Sequence, residues 1–323
     1  MSSIIAFDVS KDELVGVRMH RSGRVADRYT IKNIPRDIGL FLDALKERIR
    51  FVGSEATGPH HTFLAEACLE RAVPFKLMNP LVTKQFTRST IRKRKTDEDD
   101  AVYIGRSLLL DAGRVLSQSD FSPALPHLRT ATDLVNMAAT LKQRRGRFSV
   151  YVSDSGEAQA QLAAAEKALR DAACALRVIG REHVSHESCT LLESIPGIGK
   201  TLSATLASEI RDIARFKDGK ALVAYAGLDP RVRQSGTSLV RNTHITKRGS
   251  PHLRHALFLA AAIGQRHDPA LKEYYGMKKK DGRCHTAITV ANARRMAHRV
   301  FAVLKRGTPY EKRDTLPSLL TSD

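Results

Sequence analysis

Four acidic residues stand where a chain could hold divalent metal: Asp8 in FDVSK, Glu55 in GSEATG, and Asp97 and Asp100 in KTDEDDA. Asp97 and Asp100 lie three positions apart, so on a helix they share a face while Glu98 and Asp99 turn elsewhere. Carboxylates brought together repel unless a cation neutralises them, and an all-oxygen set suits Mg2+ or Mn2+. Two such ions can activate the attacking oxygen of a phosphodiester exchange and stabilise the leaving one. Each acid also has an ordinary explanation. An Asp after a strand is usually a turn residue, and Thr96 followed by acids reads equally as a helix N-cap with charge that the helix dipole favours. The metal reading rests on all four falling at the right elements of one fold.

A second constellation lies in the C-terminal half. RQSGTS places Ser235, with Ser238 as second choice, in a glycine-containing loop, and Arg231, Arg233, Arg241, Lys247, Arg248 and Arg254 are close in sequence. A serine hydroxyl is a poor nucleophile until a base or a metal activates it. No triad spacing is evident, and His244 is the nearest candidate base. Upstream, IPGIGK at 195–200 leads into apolar Leu202, Leu206 and Ile210, the pattern of a helix-hairpin-helix. There Gly197 and Gly199 would let the backbone approach a phosphate, and Lys200 would contact it. A tight turn between packed helices is the plain alternative. The stretch 287–306 carries Arg294, Arg295, His298 and Arg299 opposite an apolar face, which fits packing with or without a nucleic-acid contact.

The elements that must position these groups follow from periodicity. Runs at 4–9, 14–17, 28–31, 51–54 and 73–78 read as strands, and Pro35 opens a helix with Ile38, Leu42, Leu45 and Ile49 in step. A further helix spans about 59–71, giving the order βββαβαβ and then a helix, that of an α/β RNase H-like domain. Such a sheet sets the C-terminal ends of its first and fourth strands side by side, which would bring Asp8 next to Glu55. From 125 to 181 the pattern is helical. Leu162, Leu169 and Leu176 repeat every seven residues, with Ala158, Ala165, Ala172 and Ile179 as complementary positions of a coiled-coil seam, and 148–156 joins two antiparallel helices. Beyond Cys189, helices are expected at 201–213, 219–226, 252–267 and 287–306, separated by a Gly/Ser/Arg-rich stretch at 227–251.

Composition narrows the partner. The 323 residues hold 53 Lys and Arg against 34 Asp and Glu, a formal charge of +19. Such a chain attracts a polyanion, and nucleic acid is the commonest. Its longest apolar stretch, 256–264, is far short of the roughly 20 residues of a membrane span. Four scattered cysteines form no CxxC pair, which points to a reducing, cytoplasmic setting without a disulfide framework. Trp is absent and aromatics make up 6%, so affinity must come from phosphate contacts more than from base stacking.

FDVSK, SEATG and KTDEDDA, followed by SIPGIGK, FKDGKALVAYAGLDPRVRQSGTS and ITKRGSPHLRHAL, resemble the DEDD transposases of bacterial insertion sequences, the group that includes the Piv-type invertases. The resemblance spans nearly the whole chain. It implies a RuvC-like catalytic domain over 1–115, a helical coiled-coil arm over 116–190 and a mainly α-helical transposase domain over 191–308; the polar residues 309–323 read as a loose tail. The resemblance further implies metal at Asp8, Glu55, Asp97 and Asp100, a nucleophilic serine matching Ser235, element ends and target DNA as substrates, and a structured guide RNA; a homodimer or homotetramer is expected because strand exchange needs at least two cuts held together. Three other readings use the same residues differently: a junction-resolving nuclease with water as nucleophile, a non-catalytic nucleic-acid-binding protein, and an actin-like ATP-using enzyme. The last lacks a pair of glycine-rich phosphate loops.

Overall fold

The computed structural model describes residues 3–45, 49–56, 58–80, 83, 97–151, 156–235 and 238–311, with the side chains of 97–98, 231–235 and 238–243 outside the described set. Two units emerge, Met1–Phe121 and Ser122–Asp323.

The first unit is built on a six-stranded mixed sheet. Its strands are β1 (Ser3–Val9), β2 (Glu13–Met19), β3 (Val25–Lys32), β4 (Ile49–Glu55), β5 (Phe75–Met78) and β6 (Arg114–Val115), in the order β3-β2-β1-β4-β5-β6. β2 is antiparallel to β1 and β3, whereas β1, β4 and β5 run parallel. Side chains alternate across a strand, and this decides both faces. Ile5, Phe7 and Val9 bury with Val52 and Phe75 beneath α1 (Pro35–Asp43) and α2 (Thr62–Glu70), through Ile38, Leu42, Leu64 and Cys68. Ile4, Ala6, Val17, Met19 and Phe51 bury on the opposite face against Ala101, Ile104 and Leu108 of α3 (Asp97–Leu109). Gly53 makes that close approach possible, because a Cβ there would lie 2.7 Å from Leu108 Cδ1. The expected order of elements is present. The two exposed residues of β6 were not foreseen, being too few to show alternation.

The second unit is helical apart from one hairpin. Two long helices, α4 (Ala124–Tyr151) and α5 (Gly156–Glu182), pack along each other. Helix α4 continues through 148–151, which the sequence reading had placed in the connection. The seam also differs by one residue from the expected one. Ala158, Ala165, Ala172 and Ile179 are exposed, whereas Ala173 and Gly180 are buried, with Leu162, Glu166, Leu169 and Leu176 half-buried beside them. A leucine heptad has small neighbours on both flanks, and its period alone does not choose between them. The partner helix chooses. Arg145 of α4 reaches Glu166 at 3.3 Å, and Leu128 of α4 lies where a side chain on Gly180 would fall.

The remaining helices are α6 (His186–Glu193), α7 (Lys200–Ile210), α8 (Gly219–Tyr225), α9 (Pro251–His267), α10 (Pro269–Lys280) and α11 (His285–Arg306), around a core of Leu192, Ile195, Leu206, Ile210, Leu222, Leu257, Met296 and Val300. Helix α10 was not anticipated. It follows α9 after a single residue, Asp268, whose side chain caps it at Leu271 N, 2.9 Å away, with Pro269 in its first turn. The Gly/Ser/Arg-rich stretch is also not a loop. It folds into an antiparallel pair, β7 (Pro230–Ser235) and β8 (Ser238–Ile245). Val232, Val240 and Thr243 supply β-branched residues on either side of a two-residue Gly-Thr connection, a hairpin signal that the arginines between them obscured.

Candidate active site

Asp8 is the second-last residue of β1 and Glu55 the last of β4. The ladder pairs Ala6 with Gly53 and Phe7 with Ser54, so one further step of the same register sets Asp8 level with Glu55. Neighbouring strands are about 4.8 Å apart. Alternation also gives both residues a common face: Asp8 follows Ala6, and Glu55 follows Phe51 and Gly53, on the side that α3 covers. Both are half-buried. Two carboxylates set side by side in this way favour a cation between them.

Helix α3 begins at Asp97 and has half-buried Asp100 in its first turn, directly before buried Ala101. The acidic end of the helix thus belongs to an element packed on the face that carries Asp8 and Glu55. The side chain of Asp97 lies outside the described residues. Among the described residues, no three acidic, histidine or cysteine side chains stand together at metal-binding spacing. Oxygen-only donors nevertheless match the chemistry of Mg2+ or Mn2+.

In the second unit, Ser235 and Ser238 face each other in the ladder at the closed end of the β7–β8 hairpin. Their side chains, and those of Arg231, Arg233 and Arg241, lie outside the described residues. His244, the nearest sequence candidate for a base, is six residues along β8 from Ser238. At about 3.3 Å per residue it is roughly 20 Å away and cannot serve the serine of its own hairpin.

The root of that hairpin is held closely. Thr246 N donates to Asp229 O at 2.9 Å, Lys247 N to Gly227 O at 3.0 Å and Ser250 N to Tyr225 O at 2.8 Å. A Cβ on Gly249 would sit 1.7 Å from Tyr225 O, so only glycine fits. Lys247, with φ of 55°, and Arg248 project from this clasp into solvent. Ser250 then caps α9 and donates its hydroxyl to Glu209 Oε2 at 2.8 Å. Glu209, 1% exposed, also receives both arms of Arg129 of α4, at 2.6 and 2.9 Å. One buried carboxylate therefore joins the base of the long helix pair to the residue from which α9 starts, a link that no sequence motif announces.

The other expected phosphate contacts divide into two groups. Gly199 and Lys200 are exposed at the start of α7, where no side chain caps the helix. Gly197, with φ of 102°, instead uses its freedom internally: a Cβ there would lie 2.4 Å from Ala260 O on α9. Arg254 donates to Ala226 O at 2.9 Å. Arg294 donates to Leu228 O at 2.8 Å, Arg299 pairs with Asp268 at 2.9 Å, and Arg295 lies 3.3 Å over the Tyr274 ring. Of the four basic residues named on α11, three are thus engaged within the unit, while His298 is exposed.

Comparison with known proteins gives this arrangement a context. A family model described as the transposase of the IS116/IS110/IS902 family matches residues 189–276, and a DEDD transposase model of the IS110 group matches residues 5–148. The chain is 27% identical over 273 residues to the pilin gene-inverting protein of Moraxella bovis, spanning 80% of this chain and 81% of that one. It is 35% identical over 129 residues to an uncharacterized 43.6 kDa protein of insertion element IS110 from Streptomyces coelicolor, spanning 40% of this chain and 32% of that one. A solved structure of Thermus thermophilus RuvC in complex with a Holliday junction substrate aligns with 36% of the chain at 14% identity and a TM-score of 0.28. No helix among the described residues is long and apolar enough to cross a membrane. With the two models falling on the two parts that carry the acids and the serine, the chain carries transposase domains of the IS110/IS116/IS902 family.

Proposed function

We propose that this transposase cuts and rejoins DNA with an RNase H-like acidic site and a serine nucleophile. The observation that carries the reading is the pair Asp8 and Glu55, level on adjacent strands beneath the helix that begins with Asp97 and holds Asp100. Asp8, Glu55, Asp97 and Asp100 would hold Mg2+ or Mn2+, and a divalent ion there supplies charge neutralisation at the scissile phosphate. The Ser235 hydroxyl would attack phosphorus and give up its proton. The bond from phosphorus to the leaving sugar oxygen breaks, that oxygen takes a proton, and the DNA end stays joined to serine as a phosphodiester. Reversal with a different sugar hydroxyl rejoins the strand without an outside energy source. Arg231, Arg233 and Arg241 on the hairpin would stabilise charge on the phosphorane. Gly199, Lys200, Lys247 and Arg248, all exposed, would hold backbone phosphates.

Two cuts must be held together for strand exchange, so the working form is a homodimer or homotetramer. Exposed Val150, Tyr151, Val178 and Ile179 on the α4–α5 pair offer apolar surface for a partner copy. A structured RNA from the element as guide is proposed on family resemblance alone, and it would relieve the chain of reading bases.

The distance of His244 from the hairpin tip favours one second reading, a RuvC-like nuclease that uses water. Incubating the protein with element ends, Mg2+ and co-purifying RNA separates the two. A DNA adduct that resists denaturant, and is lost in both Ser235→Ala and Asp8→Ala, is the expected result. Cleavage without an adduct, surviving Ser235→Ala, would remove the serine from the chemistry.

A further inference from the structure

Most arginines of α9 and α11 are committed inside the fold, but the corner between α10 and α11 is not. Residues 272–285, KEYYGMKKKDGRCH, hold five Lys and Arg against two acids. Lys272, Lys279, Lys280, Arg283 and His285 are exposed, and one acid, Asp281, is occupied by Lys278 at 2.8 Å. Lys279, Lys280 and Arg283 form no ion pair with the described residues.

The corner is stiff. Asp281 N, Gly282 N and Arg283 N each donate back to the last turn of α10, to Met277 O, Lys279 O and Lys278 O at 3.1 Å, and Gly282 takes the left-handed φ of 74° that this wrap requires. The two helices are braced across it. Tyr275 Oη lies 3.0 Å from His285 Nδ1 with their rings edge to face, Asn292 Nδ2 donates to Leu271 O at 3.3 Å, and Arg295 stacks on Tyr274. Lys279 Nζ sits 6.0 Å from the Tyr275 ring. Helix α11 also begins here without a side-chain cap. A cluster of cations on a stiff backbone differs from a mobile basic tail: little backbone entropy remains to be lost when it meets a rigid, regularly charged partner.

We propose that this corner is a docking surface for the phosphate backbone of duplex DNA, contributing affinity without base recognition, through Lys279, Lys280 and Arg283. The inference rests on the transposase reading, which supplies duplex DNA as the polyanion the protein handles. Charge complementarity carries the rest. Neutralising a phosphate releases counterions, so each contact adds to the salt dependence of binding.

The test is binding of the full-length protein to a labelled duplex of arbitrary sequence across a range of KCl, comparing the native chain with Lys279→Gln/Lys280→Gln/Arg283→Gln. The log–log slope against salt should fall by about 0.9 per lost contact, near 2.7 for three. Affinity at moderate salt should fall about tenfold or more, and Lys279→Arg/Lys280→Arg should retain both. An unchanged slope in the triple Gln variant, while the native chain binds duplex in a salt-dependent way, would overturn the surface and leave the transposase reading intact. Loss confined to a structured RNA, with duplex binding kept, would overturn the assignment to DNA. A native chain without salt-dependent duplex binding would overturn the reading beneath it. Because the three side chains are exposed, the thermal midpoint should be unchanged in every variant.

Discussion

Asp268 shows how much one residue can hold. It ends α9, caps α10 and receives the fork of Arg299 at 2.9 and 3.2 Å, with the Tyr310 hydroxyl at 3.2 Å. Burial pushes its carboxyl up, but the Arg299 bonds, the Leu271 N–H and the tyrosine outweigh that and hold it below the usual carboxylate range. A carboxylate lowered in the folded state gives its full stability above the unfolded pKa. It loses that contribution as pH falls through the folded value. Urea midpoints should therefore stay level from neutral pH to about pH 5 and drop on further acidification. Asp268→Asn should cost about 3 kcal/mol at neutral pH, by stranding Arg299, and flatten that acid limb. A variant as acid-sensitive as the native chain would show that other carboxylates set the limb. At this scale the sequence was partly readable. Asp8 and Glu55 could be paired because an RNase H-like sheet sets its first and fourth strands side by side, whereas Arg294, Arg295 and Arg299 could be assigned a face but not the carbonyl, ring or carboxylate waiting behind it.

Elements were legible where one period dominates, and less so where two solutions share it. The leucine heptad of α5 permitted two seams, and the one used buries Ala173 rather than Ala172. Ala173→Leu should overpack against α4 and cost about 1–3 kcal/mol. Ala172→Leu should change stability by no more than about 0.5 kcal/mol. Chemical unfolding of the two variants decides it, and equal effects would return the seam to the expected residues. The β7–β8 hairpin went unseen because its Gly-Thr connection sits among arginines that read as a solvated loop, and α10 because only one residue separates it from α9. In both cases the missing information was tertiary. The hairpin root is fixed by Asp229, Gly227 and Gly249, which mean little until the two turns meet.

Across the whole molecule, charge and core are divided unequally. Residues 1–121 hold 20 Lys and Arg against 16 Asp and Glu, while 122–323 hold 33 against 18, so most of the net positive charge lies in the second unit. The unit with the acidic site is nearly balanced, and the unit with the hairpin and the basic corner supplies the attraction. Each unit has a hydrophobic core of its own. Expressed separately, 122–323 should fold with a cooperative melt by circular dichroism and hold most of the salt-dependent affinity for duplex DNA. A fragment that stays unfolded would mean that the first unit is needed to complete its core. The cluster from Arg231 to Arg254 made this half legible as basic, but not that the long helix pair and the C-terminal helices form one unit with it.

The clasp at the hairpin root has a consequence for how such proteins diversify. Tyr225, Gly227, Gly249 and Ser250 close on one another through backbone atoms, so the frame is indifferent to what is threaded between Pro230 and Ile245. That makes the segment an interchangeable cassette, in which length, charge and side chains can change or be grafted while the socket tolerates almost no change.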